Sequence, residues 1–174
     1  MINNYKEFRQ KGSWNMKVAK FGGSSVASAA QFRKVADIVS SDIERRMVVV
    51  SAPGKRCKDD VKVTDMLIRL AEQVLAGEPY EATMQAIAKR YADIADELEL
   101  EAASFLAELV DDLQSKISAY RNEPARLFDA IKASGEDHNA RLMALYLQDV
   151  GLEASYVSPL EAGIIVTDEP GNAQ

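Results

Sequence analysis

Two adjacent glycines, Gly22-Gly23, set between a strand pattern and a helical pattern, constrain this chain more than any other feature. Lys17-Val18-Ala19-Lys20-Phe21 is short and strand-like, and beyond the glycines Phe32, Val35, Ala36 and Val39 recur at helical spacing. Ser28 and Gln31 are placed as a capping box for that helix, which the pattern carries to about Ser40. Met47-Val48-Val49-Val50-Ser51-Ala52 is then a β-branched run of the kind buried on both faces of a parallel sheet, and Pro53-Gly54 ends it. The stretch predicts a β-α-β unit opened by a glycine turn.

The rest of the chain reads as mostly helical. After the polar loop Lys55 to Lys62, Thr64 is placed to cap a helix with the stripe Leu67, Leu70, Ala71 and Val74, ending near Gly77. Pro79 starts another, with Met84, Ile87, Tyr91, Ile94 and Leu98 in phase. Phe105, Leu109, Leu113, Ile117 and Tyr120 form a further stripe, and these two helices are expected to pack as a hairpin. Pro124 opens a short helix through Ile131, Ser134-Gly135 is expected to break it, and Glu136 begins the next, which closes at Gly151. Short strands are expected near Ala154 to Val157 and Gly163 to Thr167. Crossovers of this length allow parallel pairing, so the fold class is α/β, a three-layer α/β/α sandwich with a mainly parallel sheet. With no helix after the last expected strand, the sandwich reads as incomplete at its C-terminal side. Residues 1–15 lack apolar periodicity and read as an extension, leaving 16–174 as the domain portion.

With 174 residues, 47% of them hydrophobic, the chain can bury one substantial core. Its net charge of -6 comes from mixed acids and bases, which argues against nucleic acid or an anionic membrane as a partner. One cysteine, Cys57, allows no internal disulfide, and no leader or long apolar run is present, so a reducing, cytoplasmic location is expected.

Lys20 brings an ammonium beside two glycines whose backbone can approach an anion closely. This is a plausible phosphate site, although neither the Walker nor the Gly-x-Gly-x-x-Gly spacing is present, and a plain strand-to-helix turn explains the glycines equally well. The string Lys20-Phe21-Gly22-Gly23-Ser24-Ser25-Val26 resembles the opening motif of aspartokinases, within the amino-acid kinase superfamily. So do Val48 to Ala52, Lys62-Val63-Thr64-Asp65-Met66-Leu67, and Gly135-Glu136 leading into Asn139-Ala140-Arg141-Leu142, all in the family's order.

The resemblance implies ATP-dependent phosphorylation of the side-chain carboxylate of L-aspartate to 4-phospho-L-aspartate, at the entry to lysine, threonine and methionine synthesis. It implies that Lys20 contacts the ATP phosphates, that Gly22 and Gly23 offer them main-chain N–H groups, and that Ser24 adds a hydroxyl. Thr64 matches the threonine that binds aspartate, and Glu136 the glutamate that holds its amino group. Ser51, at the carboxyl end of its strand, is a weaker substrate-side candidate. ATP and Mg2+ are the expected cofactors, with no protein ligand for the metal identifiable, and a homo-oligomer is expected of the complete enzyme. Such chemistry needs positioning and electrostatic stabilisation, and an aspartate carboxylate is already ionised at neutral pH.

By themselves, Thr64 is also explained as an N-cap and Glu136 as a first-turn acid. Aspartokinases continue with an Arg-Gly-Gly-Ser-Asp-like segment, a base pocket and regulatory domains, none of which precedes Gln174. Little activity is therefore expected from this chain alone. A glutamate or N-acetylglutamate kinase, or a non-catalytic nucleotide- or partner-binding half-domain, are the alternatives. The basic loop residues Lys55, Arg56 and Lys58 are expected to be solvated, Cys57 to be incidental, and His138 to lie on the exposed side of its helix without a role.

Overall fold

In the computed structural model, which describes residues 15–172, β1 (Lys17–Phe21) and β2 (Arg45–Val50) pair in parallel. Val18 lies opposite Met47, Ala19 opposite Val48, Lys20 opposite Val49 and Phe21 opposite Val50. Alternation along each strand turns Phe21, Val48 and Val50 toward the helices. Val18, Met47 and Val49 fall on the other face, where they are 61%, 46% and 47% exposed. The β-branched run is thus covered on one face only, because no described element packs on the second.

A four-residue 3-10 turn (Gly23–Val26) leads from β1 into α1 (Ala29–Ser40), which buries Phe32 and Val35. Ser28 is the N-cap residue, but its carbonyl, not its hydroxyl, receives the Gln31 and Phe32 N–H groups, so the expected capping box is absent. The chain then runs through α2 (Val63–Ala76), α3 (Glu81–Glu97), α4 (Ala103–Tyr120) and α5 (Pro124–Asp149). The predicted stripes of α2, α3 and α4 are buried, with Tyr120 only partly so, and Gly77 ends α2 with φ +68°. Tyr91 of α3 meets Phe105 of α4 edge-on, with ring centroids 6.0 Å apart.

Two expectations about the last helix are corrected. Helix α5 runs unbroken through Ser134-Gly135. The Ser134 hydroxyl donates to the Ala130 carbonyl at 3.0 Å, one turn back, so it stays within the helix. Gly135 serves close packing instead of a break: a Cβ there would stand 2.8 Å from Ala52 Cβ and 2.9 Å from Leu67 Cδ1. His138 is buried, because the unbroken helix packs on α2 with one side and on α4 with the other.

Residues 154–157 and 163–167 form no strands; the segment after α5 is turns and irregular chain. A strand needs a partner for its backbone groups, and none is offered to this segment among the described residues. Side chains hold it instead. Arg126 pairs with Asp168 at 2.8 Å, and the Tyr156 hydroxyl donates to Asp137. The extension expected at residues 1–15 lies, except for Asn15, outside the described residues. Among those described, no helix is long and apolar enough to cross a membrane.

Candidate functional site

The carboxyl ends of β1 and β2 carry the two loops that matter most. Each is held by backbone. The Ser51 N–H donates to the Phe21 carbonyl at 3.0 Å, continuing the ladder, and the Gly54 N–H donates to the Gly23 carbonyl at 2.8 Å. A Cβ on Gly54 would lie 2.6 Å from the Gly23 carbonyl carbon, so this contact of main chain with main chain requires glycine. The Val63 N–H, first in α2, donates to the Pro53 carbonyl at 3.1 Å.

That bond moves the start of α2. The helix begins at Val63 with Lys62 in the cap position, so Thr64 lies inside the first turn and is not its N-cap. Its side chain is half-buried and makes no hydrogen bond among the described residues. The hydroxyl is therefore uncommitted.

Helix α5 meets the same strand end from the opposite direction. Glu136 Oε1 accepts from the Ala52 N–H at 3.2 Å, and Asn139 Nδ2 donates to the Ser51 carbonyl at 2.6 Å. The Tyr91 hydroxyl donates to the Gly135 carbonyl at 2.9 Å, and burial pushes that phenol's pKa well up. Glu136 itself stays exposed, so a carboxylate faces solvent beside a backbone corner made by Ser51 and Ala52.

The structure therefore brings Gly22, Gly23, Ser51 and Glu136 to one corner, with Thr64 one helical position beyond the residue tied to Pro53. Ser24 lies exposed in the 3-10 turn. Lys20 stands apart, exposed on the uncovered sheet face opposite Val49, and its ammonium group has no bonded partner among the described residues. Gly22 has extended backbone, φ -74°, and nothing lies within 4 Å of where its Cβ would be. Its surroundings are open. The recess lined by Tyr120, Arg126, Asp129 and residues 166–170 shares no residue with this corner.

Two features escaped the sequence reading. Arg56, expected to be solvated, pairs with Asp60 at 3.0 Å and with Asp93 at 3.5 Å. Arg90 is buried and also binds Asp60; its position among Ile87, Tyr91 and Ile94, on an otherwise apolar stripe, was the available signal. The hydrogen bonds from Arg56, joined by those from Arg90, hold the Asp60 carboxyl far below its usual range.

A second, partly buried network lies where the same turns of α5 face α4. Asp112 of α4 accepts from Lys116 Nζ at 2.6 Å and stands 2.9 Å from His138 Nε2, while Lys116 also donates to Ser134 at 2.8 Å. Burial alone would raise the Asp112 carboxyl, but the hydrogen bonds from His138 and Lys116 prevail and lower its pKa to about 2.

The amino acid kinase family matches residues 15–174. The chain belongs to that family. Aspartokinase 3 of Bacillus subtilis is 52% identical over 159 residues, which take in 91% of this chain and 35% of that one. Chloroplastic aspartokinase 3 of Arabidopsis thaliana is 32% identical over 163 residues, 90% of this chain and 28% of that one. Among solved structures, Escherichia coli aspartokinase III in complex with lysine and aspartate superposes with a TM-score of 0.73 at 27% identity, over 92% of this chain and 35% of that one. Clostridium acetobutylicum aspartate kinase does so with a TM-score of 0.66 at 35% identity, over 75% and 29%. These relatives bear out the resemblance to aspartokinases and the α/β fold class. This amino acid kinase chain spans about a third of their length.

Proposed function

We infer that this chain carries the phosphate loop and part of the acceptor pocket of an aspartate kinase, which transfers the γ-phosphoryl group of ATP to the side-chain carboxylate of L-aspartate. One observation carries most of this reading. The carboxylate of Glu136 is fixed on the Ser51-Ala52 backbone corner, directly beside the Gly23–Gly54 contact, so an acceptor's ammonium group and a donor's phosphates would be held at one strand end. Escherichia coli aspartokinase III, crystallised with aspartate and ADP, is similar to this chain at 29% identity with a TM-score of 0.66.

On this reading Glu136 receives the aspartate amino group, Thr64 and Ser51 turn hydroxyls to its carboxylates, and the open backbone at Gly22 and Gly23 with Ser24 cradles phosphate. Lys20 offsets charge on the transferred group. The exposed position of Lys20 leaves its long side chain free to swing toward the glycines. No base is needed, since the attacking carboxylate arrives ionised.

Magnesium would supply charge neutralisation on the phosphates. The described residues hold no group of three or more His, Cys, Asp or Glu side chains fit for a metal ion, so none of them is assigned to it. A cytoplasmic location and a place in lysine, threonine and methionine synthesis belong to the same proposal, as does a homo-oligomeric enzyme. So does low activity of this stretch alone, about a third as long as its relatives.

The test is ATP-dependent aspartyl phosphate formation, trapped with hydroxylamine. It compares this chain alone, the same chain substituted for the matching segment of the Bacillus subtilis relative, and the latter with Lys20→Ala. Activity confined to the joined, Lys20-intact protein supports the reading. A joined protein that phosphorylates glutamate or N-acetylglutamate and not aspartate sinks it.

A further inference from the structure

Arg90, which lies within the apolar stripe of α3, is the only buried side chain with a permanent charge among the described residues. Its fork reaches three residues on two segments. Nη2 donates to the Gly54 carbonyl at 2.5 Å and, more weakly, to the Ala27 carbonyl at 3.4 Å, while Nη1 donates to Asp60 Oδ2 at 2.5 Å. Ala27 closes the 3-10 turn that begins at Gly23, and Gly54 and Asp60 lie in the loop between Ser51 and α2. Asp60 is fixed in its turn by the Arg56 N–H at 2.8 Å and the Arg56 guanidinium at 3.0 Å.

Stability alone does not explain an arginine here. Burying a guanidinium costs desolvation that a leucine on the same stripe would avoid, and buried ion pairs frequently add little net stability over an apolar residue. A planar fork does give something leucine and lysine lack: donors in fixed directions that serve two carbonyls and a carboxylate together. The carbonyls it joins belong to the two loops that meet at the Gly23–Gly54 contact.

We propose that Arg90 is a positioning residue for phosphate binding, clamping the glycine turn and the loop from Ser51 to Lys62 at a fixed separation while touching no ligand itself. The proposal rests on the reading of Gly22 to Ser24 as the phosphate loop. Without the clamp, the Gly54 N–H bond to Gly23 would be the one hydrogen bond between turn and loop beyond the strand ladder among the described residues, and the turn would lose the shape that fits phosphate.

The test uses this chain with Arg90→Lys, Arg90→Ala and Asp60→Asn. Amide hydrogen exchange is followed without ligand, and calorimetry measures binding of ATP and of inorganic tripolyphosphate, which needs no base pocket. In the two Arg90 variants the Ser25 and Gly54 amides should exchange at least about 10-fold faster, with α4 and α5 protection unchanged. Tripolyphosphate affinity should fall by about 10-fold in both. Millimolar guanidinium should restore it in Arg90→Ala, which a general loss of packing would not allow. Asp60→Asn, which keeps both carbonyl contacts, should show the smallest change and supplies a folded comparison if Arg90→Ala proves unstable. Unchanged exchange at Ser25 and Gly54 overturns the clamp, and loosened loops with unchanged affinity overturn its role in phosphate binding. If the parent chain binds neither ATP nor tripolyphosphate, the phosphate-loop reading fails with that role, and exchange alone then decides whether Arg90 joins the loops.

Discussion

Two parts of the same corner are built in opposite ways. At the seam, Gly54 lies against Gly23 and Gly135 against Ala52, with no room for a methyl group at either place. At the rim, Gly22 is surrounded by open space, and Lys20 and Ser24 are exposed. Both parts use glycine, for contrary reasons. Dense contact fixes where the loops sit, and the clearance beside them leaves backbone approachable.

The contrast can be broken by adding single methyl groups. Gly54→Ala drives a Cβ into the Gly23 main chain, which cannot yield as a side chain would, and should cost about 3 kcal/mol in urea unfolding. Gly135→Ala meets side-chain carbons at 2.8 and 2.9 Å, so a loss of about 2 kcal/mol is expected. Gly22→Ala, at an ordinary φ with nothing nearby, should shift stability by no more than about 0.5 kcal/mol yet weaken tripolyphosphate binding in calorimetry. If Gly22→Ala unfolds the chain as readily as Gly135→Ala, seam and rim are not distinct.

A finer comparison uses acid. The Asp112 carboxyl, lowered to about 2 from an ordinary 3.8, adds stability that is complete above pH 3.8 and lost as pH falls through about 2. Asp112 is partly exposed, so solvent screening makes the effect small. Urea midpoints of the parent and Asp112→Asn should converge as pH drops from roughly 5 to 2. Parallel curves would show that the network binding His138 contributes no pH-dependent stability.

What the sequence revealed divides along the same line. The stripes of α2, α3 and α4 and the pairing of β1 with β2 were legible because periodicity and turn residues act over a few positions. Ser134-Gly135 misled, since a serine-glycine pair reads locally as a break. Its meaning lies in Ala52 and Leu67, which are distant in sequence. The burial of His138 followed from that same error. Residues 163–167 had a strand's composition, but composition cannot supply the neighbour a strand must pair with. Of the candidate site, the glycine motif, Thr64 and Glu136 were readable as a resemblance. The fork of Arg90 was not, because its three partners converge only in the folded chain.

The bond between Glu136 and Ala52 joins residues 84 positions apart, and this has a bearing on how the chain folds. Helices α1 to α4 can form from local contacts, but the surface of α2 around Leu67 stays uncovered until α5 arrives. During synthesis the first β-α-β unit would therefore leave the ribosome well before its seam can close, so contact order sets a late step in folding. A chain halted before Gly135 would present the Leu67 surface to solvent, and so to whatever chaperone or neighbouring chain binds apolar patches.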